Sequence, residues 1–351
     1  MKLTIIVPML NHDQTIKAAL TSINSNENYN IICVDGGSED RTVEMVEELS
    51  RELKNISIIH HHQSSLGSCI NRGLMAVEHN ESASNEAFMV LLPNSVILPS
   101  RLNMLTTAFQ SDSNIDIVVG QVATDYHGEW RSKTSSQMIQ SERLTTLSHQ
   151  PELLYDMSFN AKLFSTKFLS LRCSEDINLA YSHLFIAKAL TKATDVQLVP
   201  NIIIGDNSSY RNSAENVEFS KVSSQLCLIR QQVMESLLLK TQKLIYSEVM
   251  DVNLYNKVLQ DYLTQHSTLT VEFISEVVTY IENMQHTDYL YSNVFDIVYT
   301  VEHFGSDWTN ETYEMWKNSL VNIGIKRPGL RKFKLQLIAK KLMKSTKNKR
   351  K

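Results

Sequence analysis

The first 120 residues repeat one local pattern: a short apolar run, then a segment with apolar residues at helical spacing. The runs are LTIIVP (3–8), NIICVD (30–35), NISIIH (55–60), AFMVLL (87–92) and NIDIVVG (114–120). Between them lie DQTIKAALTSI (13–23), SEDRTVEMVEELSREL (38–53), LGSCINRGLMAVEH (66–79) and PSRLNMLTTAF (99–109). A strand covered on both faces has no polar side, so it reads as a continuous apolar run. The alternation predicts βαβ units, a mostly parallel sheet and an α/β fold. In the second helix Ser38 is the expected N-cap, with Glu39 and Asp40 at the positive end of the helix. Sheets of this kind bind ligands beyond the carboxyl ends of their strands. That rule selects Pro8–Asn11, Asp35–Ser38, His60–Gly67 and Pro93–Ser95.

The pattern stops near residue 150. Residues 150–212 are mixed, with a helix expected over 176–190 and a strand over 195–205. Residues 215–320 read as helical, for example over 225–250 and 275–285. EHNESASNEA (78–87) reads as a polar surface loop, and YRNSAEN (210–216) as a boundary. We expect three parts: an α/β domain over 1–212, a helical extension over 213–325 and a basic tail over 326–351. There is no internal repeat.

With 42% apolar and 21% charged residues, the composition suits a soluble globular protein. Ten glycines in 351 residues argue against a glycine-rich barrel or propeller. No apolar run approaches the ~20 residues of a membrane span. MKLTIIVPMLNHD breaks at Pro8 and lacks a cleavage site, so it does not read as a signal peptide. Cys33, Cys69, Cys173 and Cys227 show no paired spacing and read as reduced thiols of a cytosolic protein. Charge is uneven. The net charge is −4, yet 326–351 holds twelve Lys or Arg and no acid. A basic tail on an acidic body points to an anionic partner surface, phospholipid headgroups or nucleic acid, and reads equally well as a solvated, disordered C-terminus; of these we expect the inner face of a membrane and no nucleic acid. Leu330, Phe333, Leu337 and Ile338 are the apolar residues we expect to insert there, although they form no clean stripe.

No Gly-x-Gly-x-x-Gly follows the first strand, and no Gly-x-x-x-x-Gly-Lys occurs. The first two loops are instead Pro8-Met9-Leu10-Asn11 and Asp35-Gly36-Gly37-Ser38. TIIVPMLN, ICVDGGSEDRTVEMVEEL and SLGSCINRGLMAV, in this order and spacing, resemble a family-two glycosyltransferase of the GT-A fold. The resemblance implies that the two loops hold the base and ribose of a nucleotide-sugar. Pro8, Asn11, Asp35, Gly37 and Asn71 are then the nucleotide-binding residues. Asp35 is foremost, since a carboxylate accepts hydrogen bonds from both base and ribose. Gly36 stands where many members have a second Asp, and Ile70 where an Arg is usual. Further stretches (YHGEW, SFNAKLFS, VMESLLL, MQHTDY, FDIVYTVEH) carry a likeness along the whole chain to glycosyltransferases of wall teichoic acid gene clusters. This implies teichoic acid assembly at the cytoplasmic face. The implied partners are a UDP-linked sugar, a lipid-linked or polymer acceptor and other teichoic acid enzymes.

Two departures from the family pattern bear on chemistry. Its fourth strand ends in Asp-x-Asp, which holds a divalent metal against the leaving nucleoside diphosphate. Here that position reads Pro93, Asn94, Ser95, so no tightly held metal is expected. Mg²⁺ carried by the diphosphate, or a clamp by Arg72, Arg101 or Arg211, would serve instead, although each arginine alone reads as a surface residue. Inverting members also carry a Glu-Asp pair whose Asp takes the acceptor proton; here it reads Tyr181-Ser182. His183 is adjacent and titrates in a suitable range, but one helical step turns it by ~100°. Asp125 is the other candidate base; Asp125, Glu129 and Asp206 all read as surface residues. His60-His61-His62 alternates sides in a strand and cannot converge on one ion. Two functions follow: a metal-independent transferase, or a catalytically inactive relative acting as a scaffold of the teichoic acid machinery.

Overall fold

A computed structural model describes residues 1–23, 29–62, 65–78, 87–126, 129–133, 139–176, 178–206, 219–250 and 308–322, with scattered positions in 254–279 and 331–343. Arg211, the 210–216 boundary and nearly all of the 78–87 loop and the 275–285 helix lie outside the described residues. The chain divides into two compact units, one of Met1–Glu215 with Gln231–Ile245, the other of Asn216–Arg230 with Tyr246–Lys351.

The first unit opens as the alternation predicts: β1 (Leu3–Met9), α1 (Ile16–Thr21), β2 (Tyr29–Asp35), α2 (Thr42–Glu52), β3 (Ile56–His60), α3 (Leu66–Glu78) and β4 (Ala87–Val90). It continues with β5 (Ser95–Ile97), α4 (Arg101–Gln110), β6 (Ile115–Tyr126), β7 (Glu129–Ser132), β8 (Arg143–Thr145), β9 (Lys162–Ser165), α5 (His183–Lys192) and β10 (Asp195–Asp206). All ten strands form one sheet, ordered β3-β2-β1-β4-β9-β6-β10-β5, with β7 on β6 and β8 on β10.

The first four strands are parallel. In the rest of the sheet the long strands β6 and β10 again pair in parallel, and the short strands depart from that expectation. β9 enters antiparallel between β4 and β6, and β5 runs antiparallel to β10. Both are three- or four-residue strands, too short to show a period.

Side chains alternate across the sheet. Leu3, Ile5 and Val7 face a core shared with Ile16, Leu20, Val46, Leu102 and Leu105. On the other face Phe88, Phe164 and Phe185 pack ring to ring, with centroids 5.4 and 5.6 Å apart for Phe88–Phe164 and Phe164–Phe185. Here α3 lies so close to β1 that a Cβ on Gly73 would sit 2.4 Å from Ile6 Cγ2.

Three helix limits differ from expectation. α2 begins at Thr42, four residues after Ser38, because Asp40 accepts the Thr42 backbone N–H at 2.9 Å and takes the capping role. α5 begins at His183 rather than 176, with bends and turns before it. The 225–250 helix is two, α6 (Phe219–Ser236) and α7 (Lys240–Glu248). Gln242 Oε1 caps the second by accepting from the backbone N–H groups of Leu238 and Leu239, both at 3.0 Å.

The second unit contains α8 (Asn310–Asn322). Trp308 and Tyr313 pack edge to face at 5.9 Å. Lys334 lies over the Tyr313 ring at 4.7 Å, and Lys341 over Trp308 at 5.3 Å. These contacts bring the start of the basic tail onto α8 as helical turns over 334–339 and 341–343. Leu337 is fully buried there, so it cannot be the inserting residue the sequence suggested; Leu330 and Phe333 lie outside the described residues. The exposed row is Leu335, Ile338, Leu342 and Met343.

Candidate functional site

The carboxyl ends of β1, β2 and β3 are level: Met9 pairs with Asp35, and Asp35 with His60. The loops that follow are fastened to each other. Asn11 takes a left-handed conformation (φ 55°) and Gly37 a positive φ of 102°. The Asn11 N–H donates to Ser38 Oγ at 3.1 Å, and the Glu39 N–H donates back to Asn11 Oδ1 at 2.8 Å. Next along, His12 N–H reaches Thr42 Oγ1 at 2.7 Å, and Asp13 N–H reaches Asp40 Oδ2 at 3.0 Å. Burial alone would raise the Asp40 carboxyl, but hydrogen bonds from the Thr42 hydroxyl and backbone N–H, and then from the Asp13 N–H, outweigh it and hold it below the usual range. Burial pushes the neighbouring His12 down, against the pull of Asp40.

Asp35 sits inside this zipped rim, 2% exposed. Its Oδ1 accepts the Ser38 N–H at 3.0 Å, and Oδ2 is 3.8 Å from His60 Nδ1. Two carboxylate oxygens offer about four acceptor sites, so Asp35 retains capacity for a ligand donor. The His60 and His62 rings stack at 6.0 Å, while His61 turns to Ser68 Oγ at 2.9 Å. Pro8 is the penultimate residue of β1, beside Val34. Asn71 lies elsewhere, 3% exposed on α3, with its amide bonded to Cys173 and Glu175. The 173–181 segment crosses α3 closely: a Cβ on Gly67 would fall 1.9 Å from the Ser174 carbonyl oxygen.

At the Asp-x-Asp position, the Ser95 N–H donates to the Leu92 carbonyl at 2.9 Å and closes a turn into β5. Antiparallel pairing then sets Ser95 opposite Asp206. Asn94 Nδ2 donates to Asp206 Oδ1 at 3.4 Å, and Lys133 Nζ forms an ion pair with Asp206 Oδ2. Asp206 is therefore not the surface acid expected from the sequence; it is 6% exposed. Lys133 was not legible at all. It lies in a polar stretch, and only the sheet brings it to Asp206.

The donors here do not fit a divalent metal. Hard cations need several anionic oxygens. Pro93 offers none, Ser95 Oγ is a neutral hydroxyl buried without a hydrogen-bond partner, and Asp206 is already matched by an ammonium. Among the described residues no group of three His, Cys, Asp or Glu is placed to hold a metal ion.

The groups at Tyr181, Ser182 and His183 are drawn into the fold. Ser182 Oγ donates to the Met157 carbonyl at 2.7 Å, buried and engaged. Burial, helped by the nearby Asp206 charge, raises the Tyr181 phenol, so it stays protonated. Burial pushes His183 down to about 4, so its imidazole is neutral and a weak base near pH 7. Asp125 is exposed on β6, paired in register with Trp130; Glu129 is exposed, 3.8 Å from Arg131. Arg72 is exposed, and Arg101 donates to Met104 Sδ at 3.3 Å.

Residues 4–171 match the family model described as "Glycosyl transferase family 2". Over 349 residues, 99% of both chains, the sequence is 45% identical to "Putative glycosyltransferase TagX" of Staphylococcus aureus (strain MSSA476). The fold is similar to that of S. aureus TarS 1–349 in complex with UDP-GlcNAc (TM-score 0.63, 16% identity, 97% of this chain and 89% of that one). The complex of TarS 1–349 with UDP gives a TM-score of 0.62 at 15% identity, covering 97% and 92%. The likeness shows the GT-A fold.

Proposed function

Because the chain belongs to glycosyl transferase family 2, we propose that it binds a UDP-sugar and transfers the sugar to a lipid-linked or polymer acceptor in teichoic acid assembly. The observation that carries this reading is the pair of loops fastened through Asn11, Ser38 and Glu39 around Asp35. A rim already bonded to itself costs little ordering entropy when a nucleotide enters. The solved relative with UDP-GlcNAc bound supports the choice of nucleotide. Pro8, Asn11, Asp35 and Gly37 shape the base and ribose end. Calorimetry with UDP tests the reading. Asp35→Asn keeps the Ser38 bond but removes the charge, and we expect about tenfold weaker UDP binding. Absence of UDP binding by the unaltered protein overturns the reading.

A second reading is favoured by the acceptor side alone. With Ser182 turned to Met157 and His183 neutral and weakly basic, no strong base is evident among the described residues there. On that reading the protein binds the nucleotide-sugar and serves as a scaffold for other teichoic acid enzymes. Release of UDP from UDP-GlcNAc with a teichoic acid acceptor present separates the two.

The place of action follows from the tail. Among the described residues no helix is long and apolar enough to cross a membrane. The basic residues of 326–351 and the exposed row Leu335, Ile338, Leu342 and Met343 instead suit peripheral binding to the anionic inner leaflet, where a lipid-linked acceptor is presented.

A further inference from the structure

We infer that the Lys133 ammonium, held by Asp206, stands in for a divalent cation beside the diphosphate of the nucleotide. The inference rests on the UDP-sugar reading of this same site. It follows from what the sheet brings to the tip where the family's two acids are missing. Ser95 occupies the second of those positions, and its strand partner is Asp206. Asn94, between the two positions, reaches one oxygen of Asp206; Lys133 reaches the other. A cationic head group therefore sits within one carboxylate's width of the tip.

The chemistry of the head group suits the task. An ammonium carries three N–H donors, and a lysine serves phosphate as a point charge. The side chains of Lys133 and Asp206 are 34% and 9% exposed, so the pair has a buried anionic end and a cationic end nearer the surface. A buried carboxylate left without a partner is costly, which keeps Lys133 in place before any ligand arrives. The Lys133 backbone is also fixed, its N–H donating to the Val122 carbonyl of β6 at 2.8 Å. With Lys133 present, a carboxylate at 95 would compete with Asp206 for one cation, and a metal bound there would face an ammonium.

A lysine that only neutralises Asp206 would share all of this geometry, so the test must separate the phosphate arm from the nucleoside arm. The full-length protein is titrated with UDP and with uridine, in EDTA and in Mg²⁺. The expected result is UDP binding that is unchanged by EDTA. In Lys133→Met, UDP binding weakens about ten- to hundredfold while uridine binding stays within about twofold, and Lys133→Arg recovers most of the loss. Thermal unfolding of Lys133→Met confirms that the variant is folded. If it is not, Lys133→Gln takes its place, and the same divergence between UDP and uridine is read. UDP binding by the unaltered protein that disappears in EDTA overturns the inference in favour of a metal. UDP binding equal in Lys133→Met and the unaltered protein overturns it in favour of a structural lysine. In both cases the nucleotide reading survives. Failure of the unaltered protein to bind UDP or uridine removes that reading, and the inference with it.

Discussion

Asn71 and Cys173 exchange two hydrogen bonds across 102 residues of chain. The Cys173 N–H donates to Asn71 Oδ1 at 2.8 Å, and Asn71 Nδ2 donates to the Cys173 carbonyl at 3.1 Å. The side-chain amide behaves as a strand partner would, and it fixes the 173–181 crossing over α3. Asn71→Ala leaves both backbone groups buried without a partner. We expect a loss of about 3 kcal/mol in urea unfolding, with UDP affinity of the folded fraction nearly unchanged. The opposite pattern, intact stability and lost UDP binding, would return Asn71 to the nucleotide role that the family resemblance implied.

His183 makes stability depend on acid. Its pKa is pushed down to about 4 by burial, against about 6.5 in an unfolded chain. The unfolded state therefore binds the proton first. Stability is fully present above about pH 6.5 and is lost as the pH falls towards 4, by no more than about 3 kcal/mol. Urea midpoints between pH 7 and pH 4.5 measure this. His183→Gln should flatten part of the slope; an unchanged slope would assign acid lability to the carboxylates instead.

The tail gives a third outcome. Leu335, Ile338 and Leu342 recur at helical spacing and are 67%, 39% and 61% exposed, while Leu337 is buried. Each nearby basic residue adds about 1 kcal/mol of attraction to an anionic leaflet, screened over about 8 Å at physiological salt. Sedimentation with phosphatidylglycerol vesicles should retain the protein at low salt and lose most of it at high salt. Leu335→Glu with Ile338→Glu should weaken retention several-fold without lowering the thermal midpoint. Equal binding to neutral vesicles, or none to either, would reject the membrane assignment.

Apart from β5, the strands and helices up to residue 110 were legible because the helices show their own period and buried parallel strands leave continuous apolar runs. β9 was not legible: KLFS contains a buried lysine and spans four residues. Ser38 reads as a cap on local grounds, yet its hydroxyl is taken by Asn11 from another loop, and the helix starts later, at Asp40's bond. The two loops fastened to each other after β1 and β2 could be located from the sheet rule and the motif order. Lys133 and Asp206 could not, since the register of β10 against β5 sets Asp206 beside Ser95, and Lys133 joins them only through its ion pair with Asp206. Local chemistry is written in local sequence; pairings between distant strands are not.

The antiparallel entry of β9 also sets an order of events in synthesis. β4 and β6 are close in the chain, yet each finds its neighbour in β9. When β6 has left the ribosome, both strands still present unsatisfied edges, and about 40 residues remain to be made before β9 is complete. At 5–20 residues per second that interval lasts about 2–8 s. Open edges are templates for pairing with other chains. The nascent protein therefore passes through a window in which the future centre of the sheet is open to pairing with the wrong strand.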